Sequence, residues 1–445
     1  MSNVDSRTGA EVMAQVRLRK PDRQQVRMVM GCDDELIGPN HPVRRIWDVT
    51  GHLDLSAFAA PIKAVLGNVG RDSTDPRLMV ALWLYACIRN IGSARELDRR
   101  CKESAPFRWL CGGVSLNYHT LSDFRTQFAD ALDELFTRLV ATLVERKVVK
   151  VKRIAQDGTR VRASAGAASY RREERLNQLL EQARTHVATL RQQLDDPAQS
   201  AALGARKAKA RARAARQRVE RLEQAVAQLP ELKRKQEEAA TKAGNGKVGQ
   251  KRREKQPRVS TTDPTTRVLK MPDGGFRPAV NVQLATDTDS RAIVGVDVCN
   301  EGADSADLSE PMRRQVEERT GQKVEEHLID GGYCKHDDIR DAHGEAVALY
   351  VPPKPARTDA TRGKELEPKP GDDAAILDWK HRMASDEGKT IYKQRASTIE
   401  TVNADLKTHR GLTPLTVRTL PKIKCVALWC ALAYNIMHFA TALMS

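Results

Sequence analysis

The sequence predicts a chain of mixed α and β structure, in which a mixed β-sheet flanked by helices follows an all-helical front part and is interrupted by a long helical hairpin. Three observations predict it. Apolar residues recur at helical spacing through most of the first 150 residues, and short strand-like runs of Val, Ile and Leu then take over up to about residue 353. Inside that strand-like part, residues 171–240 revert to the helical period. A chain of 445 residues is long enough for two to four domains. We expect a flexible arm over 1–40, a helical domain over 41–147, the sheet over 148–170 and 259–445, and a hairpin with a basic linker over 171–258.

Each element has its own signal. In DPRLMVALWLYACIRNI (75–91) the apolar side chains fall on helical positions, Gly92 and Ser93 supply a stop and a new cap, and SARELDRRC begins a second helix. Residues 117–147 carry one long amphipathic pattern with Thr120 and Ser122 as candidate caps. From 148 to 164 Val and Ile alternate with charged residues, which predicts a first strand passing through Asp157.

In the hairpin, Leu176, Leu180, Ala183, Val187, Leu190 and Leu194 form one stripe and Val219, Leu222, Val226 and Leu229 another, separated by Asp-Asp-Pro at 195–197 and by Gly204. Residues 241–258 read as a basic, glycine-containing linker. RPAVNVQLATDTDSRAIVGVDV (277–298) predicts two strands around a turn at Asp287 to Ser290. A helix over 305–321, a strand over 324–330, a short helix over 335–344 and a strand over 346–353 follow, then a helix-like segment over 392–411.

Composition narrows the function. Lys plus Arg number 74 against 58 Asp plus Glu, a net charge of +16, and that balance points to a polyanion such as nucleic acid. Eight cysteines without a Cys-x-x-Cys pair indicate neither a zinc ribbon nor a disulfide scaffold, and suit a reducing cytoplasm. The start carries no apolar core of a secretory signal. The one long apolar stretch, 425–444, contains Asn435 and His438 and reads as a buried helix in preference to a membrane span.

Asp157 and Asp330 carry the chemical signal. Each lies in or at the end of a strand and is followed at once by glycine, and open sheets place their chemistry at strand ends, where a carboxylate is free to reach a ligand. Glu400, on a later helix, would complete a set of oxygen donors suited to Mg²⁺. Singly, an Asp-Gly pair is a turn signal, and among 58 acids any three can be selected. Only the joint placement in strand, strand and helix raises the set above that reading.

IAQDGTRVRASAG (154–166), HLIDGGYCKHDDI (327–339) and YKQRASTIETVNADLK (392–407) resemble, in order and setting, the three acidic motifs of bacterial insertion-sequence transposases with a DDE triad on an RNase H-like fold. DPTTRVLK, RPAVNVQLATD, LWLYACIRNIGSARELDRRC and NYHTLSDFRTQF extend the resemblance to roughly 40–440. It implies Asp157, Asp330 and Glu400 as catalytic metal ligands, two Mg²⁺ ions for which Mn²⁺ can substitute, and double-stranded DNA as substrate, both terminal inverted repeats and target. It also implies a homodimer or higher oligomer on DNA, and the chemistry is water cutting the DNA end before the freed 3′-hydroxyl attacks the target. The family's glutamate motif is Tyr, two residues, Arg, three residues, Glu, six residues, Lys. Tyr392, Arg395, Glu400 and Lys407 match it, Glu400 as the metal ligand and Tyr392, Arg395 and Lys407 as its DNA-contacting neighbours, with four residues between Arg395 and Glu400. On a regular helix Glu400 and Lys407 share a face, whereas Arg395 falls about 140° away from Glu400.

The helices between 75 and 130 read either as a helix-turn-helix reader, with HTLSDFRTQF (119–128) as recognition helix and Arg125 facing outward onto DNA, or as a packing bundle. The RKAKARARAARQR run (206–218) is either a phosphate-following surface or a solvated face. Cys334 and His336 lack partners at ligand spacing and read as helix-entry residues, and Trp83 and Trp429 as core. Two other functions share these features. An RNase H-like nuclease would yield cut ends without joined product, and a non-catalytic DNA-binding protein would show no response to metal.

Overall fold

The computed structural model describes residues 31–62, 73–195, 204–302, 308–355 and 363–444; most of the arm expected over 1–40 lies outside them. The front helices are α1 (Pro42–His52), α2 (Pro76–Ile88), α3 (Ala94–Glu103), α4 (Ala105–Cys111), α5 (Tyr118–Gln127) and α6 (Ala129–Glu145). Their starts follow local chemistry. Asp75 caps α2 ahead of Pro76, and Ser93 caps α3. From Leu78 to Cys87 every residue of α2 is buried, as befits a helix apolar all round.

Two expectations fail here for tertiary reasons. The single helix expected over 117–147 is broken at Phe128 (φ −110°, ψ 49°), whose ring joins Phe58 and Phe124 at 5.4 and 5.1 Å, and the cap is Asn117, not Thr120 or Ser122. Arg125, expected to face outward onto DNA, is only 3% exposed. Its Nη1 donates to Gly92 O (2.6 Å) and Thr416 Oγ1 (3.2 Å), and its guanidinium lies 4.6 Å from the Trp83 ring centroid. Helix α5 turns Leu121, Phe124 and Arg125 into the core and presents His119, Thr120, Ser122, Asp123 and Gln127 outward, a face without a cation.

The sheet comprises β1 (Arg153–Arg162), β4 (Arg267–Lys270), β5 (Phe276–Asp287), β6 (Ile293–Cys299), β7 (Glu326–Leu328) and β8 (Ala348–Tyr350). β1 is central. It pairs antiparallel with β5 on one side and parallel with β7 on the other, and β7 pairs parallel with β8. β4 and β6 share the far edge of β5, one opposite each half. This is the mixed order expected of an RNase H-like sheet. Two-residue strands β2 (Tyr170–Arg171) and β3 (Val259–Ser260) close the neck of the inserted hairpin.

The insertion consists of α7 (Glu173–Asp195), α8 (Ala205–Ala227), α9 (Leu229–Lys242) and α10 (Lys247–Glu254). Leu176, Leu180 and Ala183 pack against Leu222, Ala225 and Leu229, as the two stripes predict. The linker expected over 241–258 is helical in its middle. α10 folds back on α9, and Gly249 sits against the backbone of Gly244 and Ala240, where any side chain would collide. Its lysines and arginines hide that packing from a sequence reading.

On one side of the sheet, α11 (Ser309–Thr320) packs against β6 and α6, with buried Arg319 paired to Asp133 at 2.7 Å. α12 (His336–Gly344), α13 (Ala374–Ala384), α14 (Asp386–Arg395) and α15 (Thr401–His409) follow β7 and β8, and α16 (Leu420–Met444) ends the described chain. α16 is long and apolar enough to cross a membrane, yet 72% of its most apolar window is buried inside the protein, between the front helices and β6. Asn435 explains its polar residue: it accepts from Ile293 N (2.9 Å) and donates to Ile293 O (2.8 Å), acting as the strand that β6 lacks. One hydrophobic core therefore runs from α1 to β8.

His327 in β7 is fully buried and neither ring nitrogen has a hydrogen-bond partner; burial, aided by Arg313, holds its imidazole down at about 3. Above pH 6.5 the ring is neutral in folded and unfolded chains alike, so it contributes no pH dependence. As pH falls from 6.5 towards 3 only the unfolded chain gains the proton, and stability is lost, by about 2 kcal/mol at pH 5. His327→Leu should remove that slope. Urea midpoints of both proteins at pH 7 and pH 5 check it, and equal losses on acidification would refute it.

Candidate active site

The site begins with strand register. β1 and β7 run parallel with Ile154 opposite His327 and Ala155 opposite Leu328. Continued by two residues, that register sets Asp157 beside Asp330, both on one face because side chains alternate, on strands about 4.8 Å apart. β1 continues, paired with β5 through Arg162, whereas β7 stops at Leu328. Asp330 is where the chain leaves the sheet. Its Oδ1 accepts Gly331 N at 2.7 Å and opens a single 3-10 turn, Gly331–Tyr333. Tyr333 then donates its hydroxyl to Gln283 (2.6 Å), which Gln156 also reaches at 3.0 Å, so a buried polar set anchors the strand ends.

Glu400 comes from the helix across the cleft. Between α14 and α15 the backbone forms a π-turn, Ala396–Glu400. A π-turn inserts one residue into a helix, so residues five apart align as residues four apart do elsewhere. The fourth residue between Arg395 and Glu400 is absorbed there, and Arg395 Nη1 lies 3.5 Å from Glu400 Oε1. The separation of about 140° expected for a regular helix is therefore corrected.

Arg395 also reaches Asp157 Oδ1 at 2.9 Å, with its side chain 10% exposed. The other Asp157 oxygen accepts Asn403 Nδ2 at 3.1 Å. Burial works against the Arg395 charge, but Asp157, Tyr392, Asp330 and Glu400 outweigh it and raise its pKa. Tyr392 is pushed up to about 12, first by burial and then by Asp330, Asp157 and Glu400. Lys407 is lowered by burial, with Asp157 opposing. Asp157, Asp330, Glu400, Arg395, Asn403 and Lys407 line one open cleft of about 770 Å³.

Two family profiles match the chain. A transposase domain (DUF772) covers residues 32–127, and a transposase DDE domain covers 254–436, which holds Asp330 and Glu400. The chain belongs to the insertion-sequence DDE transposases. Comparison with curated proteins and with solved structures finds no match. The transposase thus acts on DNA at transposon ends, by the metal-dependent cleavage and transposition general to its family. Neither profile reaches residues 128–253, so Asp157 joins the site through the β1–β7 register and its contacts with Arg395 and Asn403.

By donor chemistry the transposase cleft fits a hard divalent cation: its acids are all-oxygen donors, one within β1 and one just past the end of neighbouring β7, and Mg²⁺ takes only a few carboxylates from protein. The three carboxylates share the cleft without converging on one point. Among the described residues no three acidic, His or Cys side chains are grouped closely enough to hold one ion, and the Arg395 guanidinium lies among the acids instead. Cys334 and His336 stand at the entry to α12, and Trp83 and Trp429 are core, as expected. Asn403 was not foreseen. Its signal was spacing: three residues after Glu400 and four before Lys407, on the face they share.

Proposed function

We propose that Asp157, Asp330 and Glu400 are the catalytic carboxylates of this transposase, holding two Mg²⁺ ions at the cleft, with cleavage of its terminal inverted repeats and joining to target DNA carried out there. The observation that carries the reading is the parallel register that aligns Asp157 with Asp330, with Glu400 on the opposite wall. The ions, when bound, activate the attacking oxygen and stabilise the leaving one. The chain's own groups do the rest. Lys407 offers its ammonium to a phosphate, Tyr392 keeps its phenol protonated at neutral pH and so can donate to one, and Asn403 fixes the Asp157 carboxylate. The front helices (41–147) and the sheet (148–170, 259–445) work as one body, as a cytoplasmic homodimer or higher oligomer on DNA. Protein supplied with Mg²⁺ and with the inverted repeats that bracket its own reading frame should yield joined products. Cut ends without joined product would favour a nuclease, and neither product a non-catalytic DNA-binding protein.

Arg395 serves as the counter-charge that orients Asp157 and Glu400 before an ion arrives, and an arriving cation competes with it. Arg395→Gln should therefore tighten Mn²⁺ binding by the DNA-free protein about tenfold, worth about 1.4 kcal/mol, in calorimetry. Unchanged or weaker binding would refute that role.

A further inference from the structure

The inserted hairpin carries a charge pattern that the cleft does not use. Residues 184–219 hold nine Lys or Arg against two Asp, a net +7 that is close to half of the chain's +16. Along α8, Ala208 and Ala215 are buried, and the seven lysines and arginines from 206 to 218 form two rows. Arg206, Lys209, Arg213 and Arg216 lie within about 80° of one another around the helix axis, and Lys207, Arg211 and Arg218 within about 40° on the other flank. All seven are exposed, and among the described residues none is in a salt bridge. Among those residues the only ion pair between α7 and α8 is Arg184–Glu223, nearer the root.

Between the rows runs an exposed crest of Ala210, Ala214 and Gln217, small or uncharged. A solvated helix face needs no such division. A B-DNA major groove, about 12 Å wide, admits a helix and is bordered by two phosphate strands, so a low crest with cations on both sides matches it. An acidic protein surface offers no paired rows of charge. The arm is also planted where DNA must pass: it leaves the sheet through Arg162, five residues beyond Asp157 on the same strand, and 23 residues of helix project about 35 Å from that end.

We propose that α8 seats in a groove of double-stranded DNA outboard of the cleft, its two cation rows holding the flanking phosphate strands without reading sequence. This rests on the transposase reading for the presence of DNA at the cleft, but its test does not require cleavage. Full-length protein is titrated with a mixed-sequence duplex of about 30 base pairs, by fluorescence anisotropy at about 50 to 300 mM salt. The variant Arg206→Gln/Lys209→Gln/Arg213→Gln/Arg216→Gln should raise Kd at least about tenfold and lower the slope of log Kd against log salt by up to about 3.6, since each lost phosphate contact removes about 0.9. Arg213→Lys/Arg216→Lys should keep the parental slope. Equal affinity and slope in the fourfold variant overturn the proposal, as does a change confined to self-association seen by sedimentation. If the parent binds duplex as expected but never cuts or joins its element's ends, the catalytic reading fails while this one stands.

Discussion

Asp157→Asn leaves the transposase folded and bound to DNA but lowers cleavage and joining by about 10³-fold or more, a barrier increase of about 4 kcal/mol. The substitution keeps the shape of the side chain and one oxygen for Asn403 while removing the charge that a cation at the cleft needs. It leaves Arg395, whose side chain is only 10% exposed, still paired with Glu400, so the buried guanidinium does not lose every partner. Asp330→Asn should match it, and the double variant should be no worse than either alone, because groups that hold one ion act as a unit. End cleavage and strand transfer measured with Mg²⁺, alongside duplex affinity, separate the outcomes. Activity within tenfold of the parent would remove Asp157 from the site, and weakened DNA binding would assign it a different job.

Trp429→Ala destabilises the whole protein by about 3–5 kcal/mol, the usual cost of emptying a core position of an indole. Trp429 is 1% exposed, its Nε1 donates to Arg125 O at 3.1 Å, and its ring stands 6.3 Å from that of Phe124. It lies on α16, which packs against α1, α2 and α6 on one side and β6 on the other. Loss there is felt by helices and sheet together, so guanidinium unfolding should remain a single transition at a lower midpoint. Two separated transitions would mean that the front helices keep a core of their own.

Much of this was legible in the residues. Alternation announced β1 and the β5–β6 hairpin, the leucine stripes announced α7 and α8, and glycine after each aspartate singled out Asp157, which lies within β1, and Asp330, just past the end of β7. Asn435 and His438 within an apolar run announced α16 as a core helix. These signals are local, since period and turn chemistry act between residues a few positions apart.

What was not legible depends on what lies across space. Arg125 reads as an outward cation until Trp83, Gly92 and Thr416 close over it, and the break at Phe128 follows from two other phenylalanine rings. The extra residue before Glu400 reads as a misfit until a π-turn absorbs it. By itself, then, the sequence determined most of the helices and strands and which acids stand in or just past a strand and before a glycine. Only the tertiary structure decided which side chains meet: that Asp157 adjoins Asp330, that Arg395 sits among the acids, and that Asn403 holds one of them. The reason is physical. Backbone period and turn preference are properties of neighbouring residues, whereas packing, burial and charge pairing are settled between groups up to 324 positions apart.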